Sequence, residues 1–163
     1  MVLKNETKDI YIEKVQRSVF ELYRRYKNNE ILLSSEDQRN DIWSKLPARQ
    51  SKLIESILLS IPIPVIYLSE SLENTYEVVD GQQRLNTFFS FMDNKFKLKS
   101  LSLLTELDNK YFKNLSPNLQ RKLEDYSLII FIIKKNTHPD IKFDIFERVN
   151  IDTTNYRKNF NEK

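Results

Sequence analysis

Thr75-Tyr76-Glu77-Val78-Val79-Asp80-Gly81-Gln82-Gln83-Arg84-Leu85-Asn86-Thr87-Phe88-Phe89 changes periodicity at its middle. Residues 75–79 are β-branched, aromatic and extended in character, as a strand requires. From Leu85 the apolar residues recur at helical spacing. The turn between the two halves holds Gly81, the only glycine in the chain, where average usage would supply roughly eleven. A lone glycine at a strand-to-helix junction marks a backbone that needs positive φ or close approach. The reading is therefore a strand over 75–79 feeding a helix over 82–92.

The neighbouring segments fit around this unit. Val65 to Leu68 reads as a strand, joined to 75–79 by a polar link short enough for antiparallel pairing. Before it, Ile61-Pro62-Ile63-Pro64 ends a helix predicted from Pro47 to Leu59. Ile31-Leu32-Leu33 predicts a short strand. Residues 9–28 carry Ile12, Val15, Val19, Leu22, Tyr23 and Tyr26 at three- and four-residue spacing, which predicts one N-terminal helix. After 92, Lys95 to Leu98 reads as a brief exposed edge strand, and 101–113 as short helical stretches. Ser116-Pro117 caps and opens a helix to about Asp125. Tyr126 to Lys134 is the most apolar run and predicts a buried central strand. Pro139 to Asn150 predicts a final helix. The mixture of elements predicts one α+β domain with a small mixed sheet flanked by helices. Its organisation is an N-terminal helix over 1–29, a main domain over 30–150, and a frayed or truncated tail over 151–163.

Composition narrows the chemistry. The chain of 163 residues has 26 Lys and Arg against 23 Asp and Glu, so its net charge of +3 is too modest to demand a nucleic-acid partner. It has no cysteine and one histidine, His138. Thiolate metal sites and histidine-based catalytic clusters are thereby excluded within this sequence. Its N-terminus is polar and acidic rather than signal-like, and its longest apolar run, Leu128 to Ile133, is too short to span a membrane. A cytoplasmic protein is expected.

The residues that can carry chemistry gather at Asp80-Gly81-Gln82-Gln83-Arg84. First-turn N–H groups and the helix dipole favour an anion there. Arg84 offers a planar fork to phosphate oxygens. Asp80 can hold Mg²⁺ or orient a water, and Gln82 or Gln83 can position a water without titrating. The same residues equally fit a helix capped by Asp80 with no ligand at all. Spacing alone leaves the two readings level. A second cluster, Gln38-Arg39 with Trp43, fits either a phosphate ligand beside a pocket wall or a tryptophan anchoring the next helix. In a third, Phe146-Glu147-Arg148-Val149-Asn150, spacing favours a solvated helix face for Arg148 and Asn150.

Taken in order, QRxxxW, SKLIESILLSIPIPVIYL, YEVVDGQQRLNTFFSF and FERVN resemble the N-terminal domain of GmrSD-type restriction proteins, a bacterial family with a ParB/sulfiredoxin-like fold and a hallmark DGQQR motif. The resemblance runs from about Gln38 to Asn150. It implies nucleoside triphosphate binding and hydrolysis at Asp80, Gly81, Gln82, Gln83 and Arg84, with Mg²⁺ brought by the nucleotide and held by Asp80. It implies further phosphate ligands in Arg39, matching the upstream QR motif, and Asn150, matching the asparagine of FxRxN. It also implies a role in restriction of modified phage DNA, with an HNH nuclease domain or subunit supplied from outside this chain. The family continues past FxRxN with a glycine-containing turn, where this chain has Ile151-Asp152-Thr153-Thr154-Asn155. Two other functions remain open at this point: a Mg²⁺-dependent DNA-nicking phosphodiesterase with Asp80 on the metal, and a non-enzymatic DNA- or protein-binding adaptor.

Overall fold

The computed structural model describes residues 9–33, 46–71 and 73–160, and of 151–160 the backbone alone. Chain order is β1 (Ile12–Ser18), α1 (Val19–Lys27), β2 (Ile31–Leu32), α2 (Pro47–Leu58), β3 (Ile66–Glu70), β4 (Tyr76–Asp80), α3 (Gln82–Met92), two 3₁₀ turns (Thr105–Leu107 and Phe112–Asn114), α4 (Pro117–Glu124), β5 (Ser127–Ile133) and α5 (Pro139–Phe160). The fold is α+β. The five strands form one mixed sheet in the order β1-β5-β3-β4-β2. β1 and β5 are antiparallel, β5 and β3 parallel, β3 and β4 antiparallel, β4 and β2 parallel.

Alternation along the strands decides the layers. Leu128, Ile130 and Ile132 of β5 lie beside Ile66 and Leu68 of β3 on one face, and all five are buried. Val19 and Leu22 of α1, Ile54, Ile57 and Leu58 of α2, Leu85, Phe88, Phe89 and Phe91 of α3, and Leu123 of α4 close over them in a single apolar cluster. Tyr26 stacks on Phe89 with ring centroids 4.7 Å apart. Tyr23 donates to Asp93 Oδ1 at 2.6 Å, and Lys27 pairs with Asp93 Oδ2 at 2.7 Å, fastening α1 to the end of α3. On the opposite face Tyr67 stacks on Phe131 at 5.5 Å. Buried Ile133 and Ile141 lie outside the main cluster, and α5 packs against β4.

The N-terminal helix expected over 9–28 is instead a strand followed by a helix. Ser18 divides them: its extended backbone ends β1, and its hydroxyl accepts the Glu21 N–H at 3.1 Å to cap α1. The apolar spacing that suggested one helix is overridden by pairing with β5, where Ile12 lies opposite Ile133 and Val15 opposite Ile130. Ser18→Ala is expected to cost about 1 kcal/mol through loss of this cap, measured as a lower urea midpoint with an unchanged slope.

The strand expected at 95–98 is also absent. Leu98 is buried and ties an irregular segment down through main-chain bonds with Lys110 and Asn109, while the Lys99 N–H donates to Ser51 Oγ. Glu55, 4% exposed, receives the N–H groups of Ser102, Leu103 and Leu104, so one buried carboxylate anchors the next turn of chain. Burial raises its pKa, but these three donors and nearby Lys52 outweigh that and hold it below the ordinary glutamate value. At the C-terminal end, α5 runs to Phe160, past the Asn150 at which apolar periodicity stops. Among the described residues no helix is long and apolar enough to cross a membrane.

Candidate functional site

The junction after β4 is built by three local features. First, the pairing of β3 with β4 shifts by one residue, from Leu68 opposite Val78 to Tyr67 opposite Asp80, so Val79 is an extra residue. A bulge of this kind re-aims the side chain that follows it. Second, Gly81 stands at the N-cap of α3 with φ 100°, a backbone that L side chains avoid. A Cβ at position 81 would run into Ile66 Cδ1 and lie 3.2 Å from the Arg84 guanidinium. Third, a glycine has no side chain with which to cap a helix. The first main-chain bond at this end runs from the Leu85 N–H to the Gly81 carbonyl at 3.0 Å. Among the described residues no side chain caps this helix start, and its dipole favours an anion there.

Arg84 lies across this turn. Its Nη1 donates to the Pro64 carbonyl at 2.6 Å, and its Nη2 pairs with Asp80 Oδ2 at 3.2 Å. The Pro64 carbonyl comes from the proline-rich segment that sequence reading placed between α2 and β3. Burial lowers the Arg84 pKa, and the Asp80 carboxylate opposes that shift. The two bonds use one N–H from each terminal nitrogen, and a guanidinium carries five donors in a plane. The side chain is thus held in one orientation with donors remaining for a further acceptor. This is the arrangement of a positioned cation, and it is also a salt bridge that any anion would have to share.

Asp80 is the carboxylate that carries the Arg84 pair rather than the helix cap; Gly81 takes the cap position itself. Gln82 and Gln83 occupy the first turn of α3, both half-buried. The Gln83 carbonyl accepts from Thr87 Oγ1 at 2.8 Å, within the helix. Asn150 is exposed on α5, the helix that packs against the strand leading to Asp80. Arg148, two residues earlier, pairs with Asp144 on its own helix at 2.9 Å, as a solvated face would have it. Arg39, together with Gln38 and Trp43, lies outside the described residues.

A magnesium ion brought by a nucleotide typically needs only one or two protein carboxylates, because phosphates and waters complete its shell. Asp80 fits that demand, with Oδ2 engaged by Arg84 and Oδ1 on the other side of the carboxylate. A resident metal centre has no such basis: among the described residues no three His, Cys, Asp or Glu side chains come together. His138 is exposed, and its Nδ1 accepts the Asp140 N–H at 3.2 Å in the turn before α5.

The remaining acidic groups with strong partners are structural. Glu70, buried at the end of β3, accepts the Lys135 N–H at 3.1 Å and pairs with Lys134. Burial raises its pKa, and these donors bring it below the ordinary value. Neither Glu55 nor Glu70 was marked by the sequence pattern, since both find their donors in segments far along the chain.

Comparison with curated proteins and with solved structures gives no match. The family model described as the GmrSD restriction endonuclease, N-terminal domain, matches residues 19–157. This span contains β2 to β5, all of the Asp80–Arg84 turn and most of α5. The chain therefore belongs to the GmrSD restriction endonuclease N-terminal domain family, a domain of restriction proteins.

Proposed function

We propose that the Asp80–Arg84 turn seats the phosphates of a nucleoside triphosphate, and that this chain is the nucleotide-binding and hydrolysing unit of a cytoplasmic, DNA-modification-dependent restriction system that acts in phage defence. The observation that carries the reading is the pairing of an N-cap glycine at φ 100° with a half-buried, oriented guanidinium one turn further on. Main-chain N–H groups and the dipole at the start of α3 face the phosphates, and Arg84 adds donors beside them. Charge on the transferring phosphoryl group grows where those donors already point, so little reorganisation accompanies the reaction. Gln82 or Gln83 orients the attacking water. Asp80 would hold a magnesium ion brought by the nucleotide while keeping Arg84 in place, and the ion would supply charge neutralisation to the phosphates. Arg39 and Asn150 complete the phosphate contacts in this proposal. DNA and an HNH nuclease domain or subunit are its further partners.

The test is a melting screen with each of the four nucleoside triphosphates, with and without Mg²⁺. A ligand that binds only the folded state raises stability as RT ln(1 + [L]/Kd), so a triphosphate at about a hundred times its Kd adds about 2.7 kcal/mol. The shift is expected with Mg²⁺ present. Gln82→Ala or Gln83→Ala is expected to keep affinity and, at the water-positioning glutamine, to lower turnover by about 10²-fold, the size of one lost transition-state contact. Arg84→Ala is expected to abolish the ligand-dependent shift, with affinity read calorimetrically on the folded variant. No shift with any triphosphate, or unchanged affinity in Arg84→Ala, would overturn the reading.

A further inference from the structure

We infer that β1 is the seam of a symmetric dimer, in which two copies of this chain join their sheets edge to edge. β1 is an outer strand of the sheet, and its main-chain groups divide cleanly. The Tyr11 carbonyl accepts from the Lys134 N–H, and the Val19 N–H donates to the Tyr126 carbonyl. Antiparallel ladders repeat every two residues, so odd-numbered residues turn their main chain toward β5, and Ile12, Lys14 and Gln16 turn theirs outward. Among the described residues, the bond on that outward row is a local one, from Arg17 Nη1 to the Gln16 carbonyl at 3.1 Å. The strand is seven residues long, without proline or glycine, and Ile12 at its start is 44% exposed. Such an edge is a template for another strand.

The side chains select the occupant and the register. Self-pairing across a two-fold axis must join outward residues with outward residues, which leaves three central registers. One sets Lys14 against the partner's Lys14, placing like charges opposite each other. Another sets Gln16 against the partner's Gln16 and Arg17 against the partner's Val15, with no charge satisfied. The third centres on Val15. Lys14 and Gln16 then exchange main-chain bonds with the partner's Gln16 and the partner's Lys14. Glu13 lies opposite the partner's Arg17, and Arg17 opposite the partner's Glu13, in the closely spaced non-hydrogen-bonded pairs. The sequence Ile12-Glu13-Lys14-Val15-Gln16-Arg17-Ser18 is thus complementary to itself reversed. In one copy alone, Glu13 meets Lys134 at 3.4 Å and Arg17 meets Glu21 at 3.4 Å. These are loose surface pairs that can be shared with a second copy. A seam of one strand is small, so reversible association in the micromolar range is expected.

The absence of cysteine makes the register directly readable. Val15→Cys places one thiol per chain at the two-fold axis, where opposed Cα atoms about 4.5 Å apart lie within disulfide range. Under mild oxidation this variant is expected to form a covalent dimer, whereas Lys14→Cys, which faces the partner's Gln16, is not. Light scattering of the native chain is expected to show mass doubling with concentration. Glu13→Arg or Arg17→Glu alone is expected to weaken association about tenfold, and the double exchange to restore it. A native chain that stays monomeric through the micromolar range overturns the proposal and leaves the edge to a strand of another protein. Equal cross-linking of Lys14→Cys and Val15→Cys, or no rescue by the double exchange, overturns it as well.

Discussion

Gly81→Ala is expected to destabilise the protein by about 2–5 kcal/mol, lowering the melting temperature by about 5–15 °C. Two costs add. The backbone at φ 100° is one that an L side chain rarely adopts, and the new methyl meets Ile66 Cδ1 beneath the turn. Ile66 is fully buried in the middle of the sheet, so it has little room to yield. The steric share can be isolated. Ile66→Val removes the Cδ1 carbon and by itself costs about 0.5–1.5 kcal/mol. In the double variant the methyl has space, and the pair should be less damaging than the sum of its parts by about 1 kcal/mol. Strict additivity would mean that backbone strain alone carries the effect. The same substitution pushes on Arg84, whose Nη2 is the next nearest group. The Asp80 pair should therefore loosen together with the turn.

Replacing Glu55 by alanine is expected to cost about 1–3 kcal/mol, because three N–H donors lose the one buried carboxylate that ties their segment to α2. Glu55→Gln should recover part of the loss, since an amide oxygen still accepts while its NH₂ group faces donors. The effect also carries a pH signature. The Glu55 carboxyl sits below its ordinary value in the folded chain. Its stabilising contribution is complete above the pKa of an unfolded glutamate and disappears as pH falls through the depressed folded value. Urea titrations across the acid range should show the native protein losing stability faster than Glu55→Gln over that window. Parallel acid limbs for the two proteins would place the dependence on Asp93 and Glu70 instead, the other carboxylates with lowered pKa.

The legible parts of this fold were those decided locally. Gly81 and the phenylalanines at 88 and 89 announce α3, and its bounds of Gln82 and Met92 agree with the reading. Ser116 before Pro117 announces α4, and the hydroxyl accepts the Leu119 N–H as expected. β5 was readable as an inner strand from seven residues of nearly unbroken apolar chain, although Ile129, on the face away from the main core, stays 36% exposed. β1 was misread because Ile12, Val15, Val19 and Leu22 satisfy helical spacing, while its strand state depends on partners in β5. The cue present was Ser18 followed three residues later by Glu21, a capping signal that places the helix start at Val19. At the turn, Asp80, Gly81 and Arg84 were singled out from sequence, but the way they are arranged was not readable there. The Pro64 carbonyl and the extra residue at Val79 depend on how β3 meets β4.

The antiparallel pair at the far end of the sheet has a bearing on how the molecule forms. Tyr11 and Thr137, 126 positions apart, are joined through both the Tyr11 N–H and its carbonyl. The last of the five described strands, β5, inserts between the first and the third. Until it emerges, β1 has no partner in the sheet, β3 has β4 alone, and the helices already made have half a floor to rest on. Closure therefore waits until the chain has been made through Ile133. Such distant contacts slow folding, and the unmated strands are open to capture by other chains in the interval.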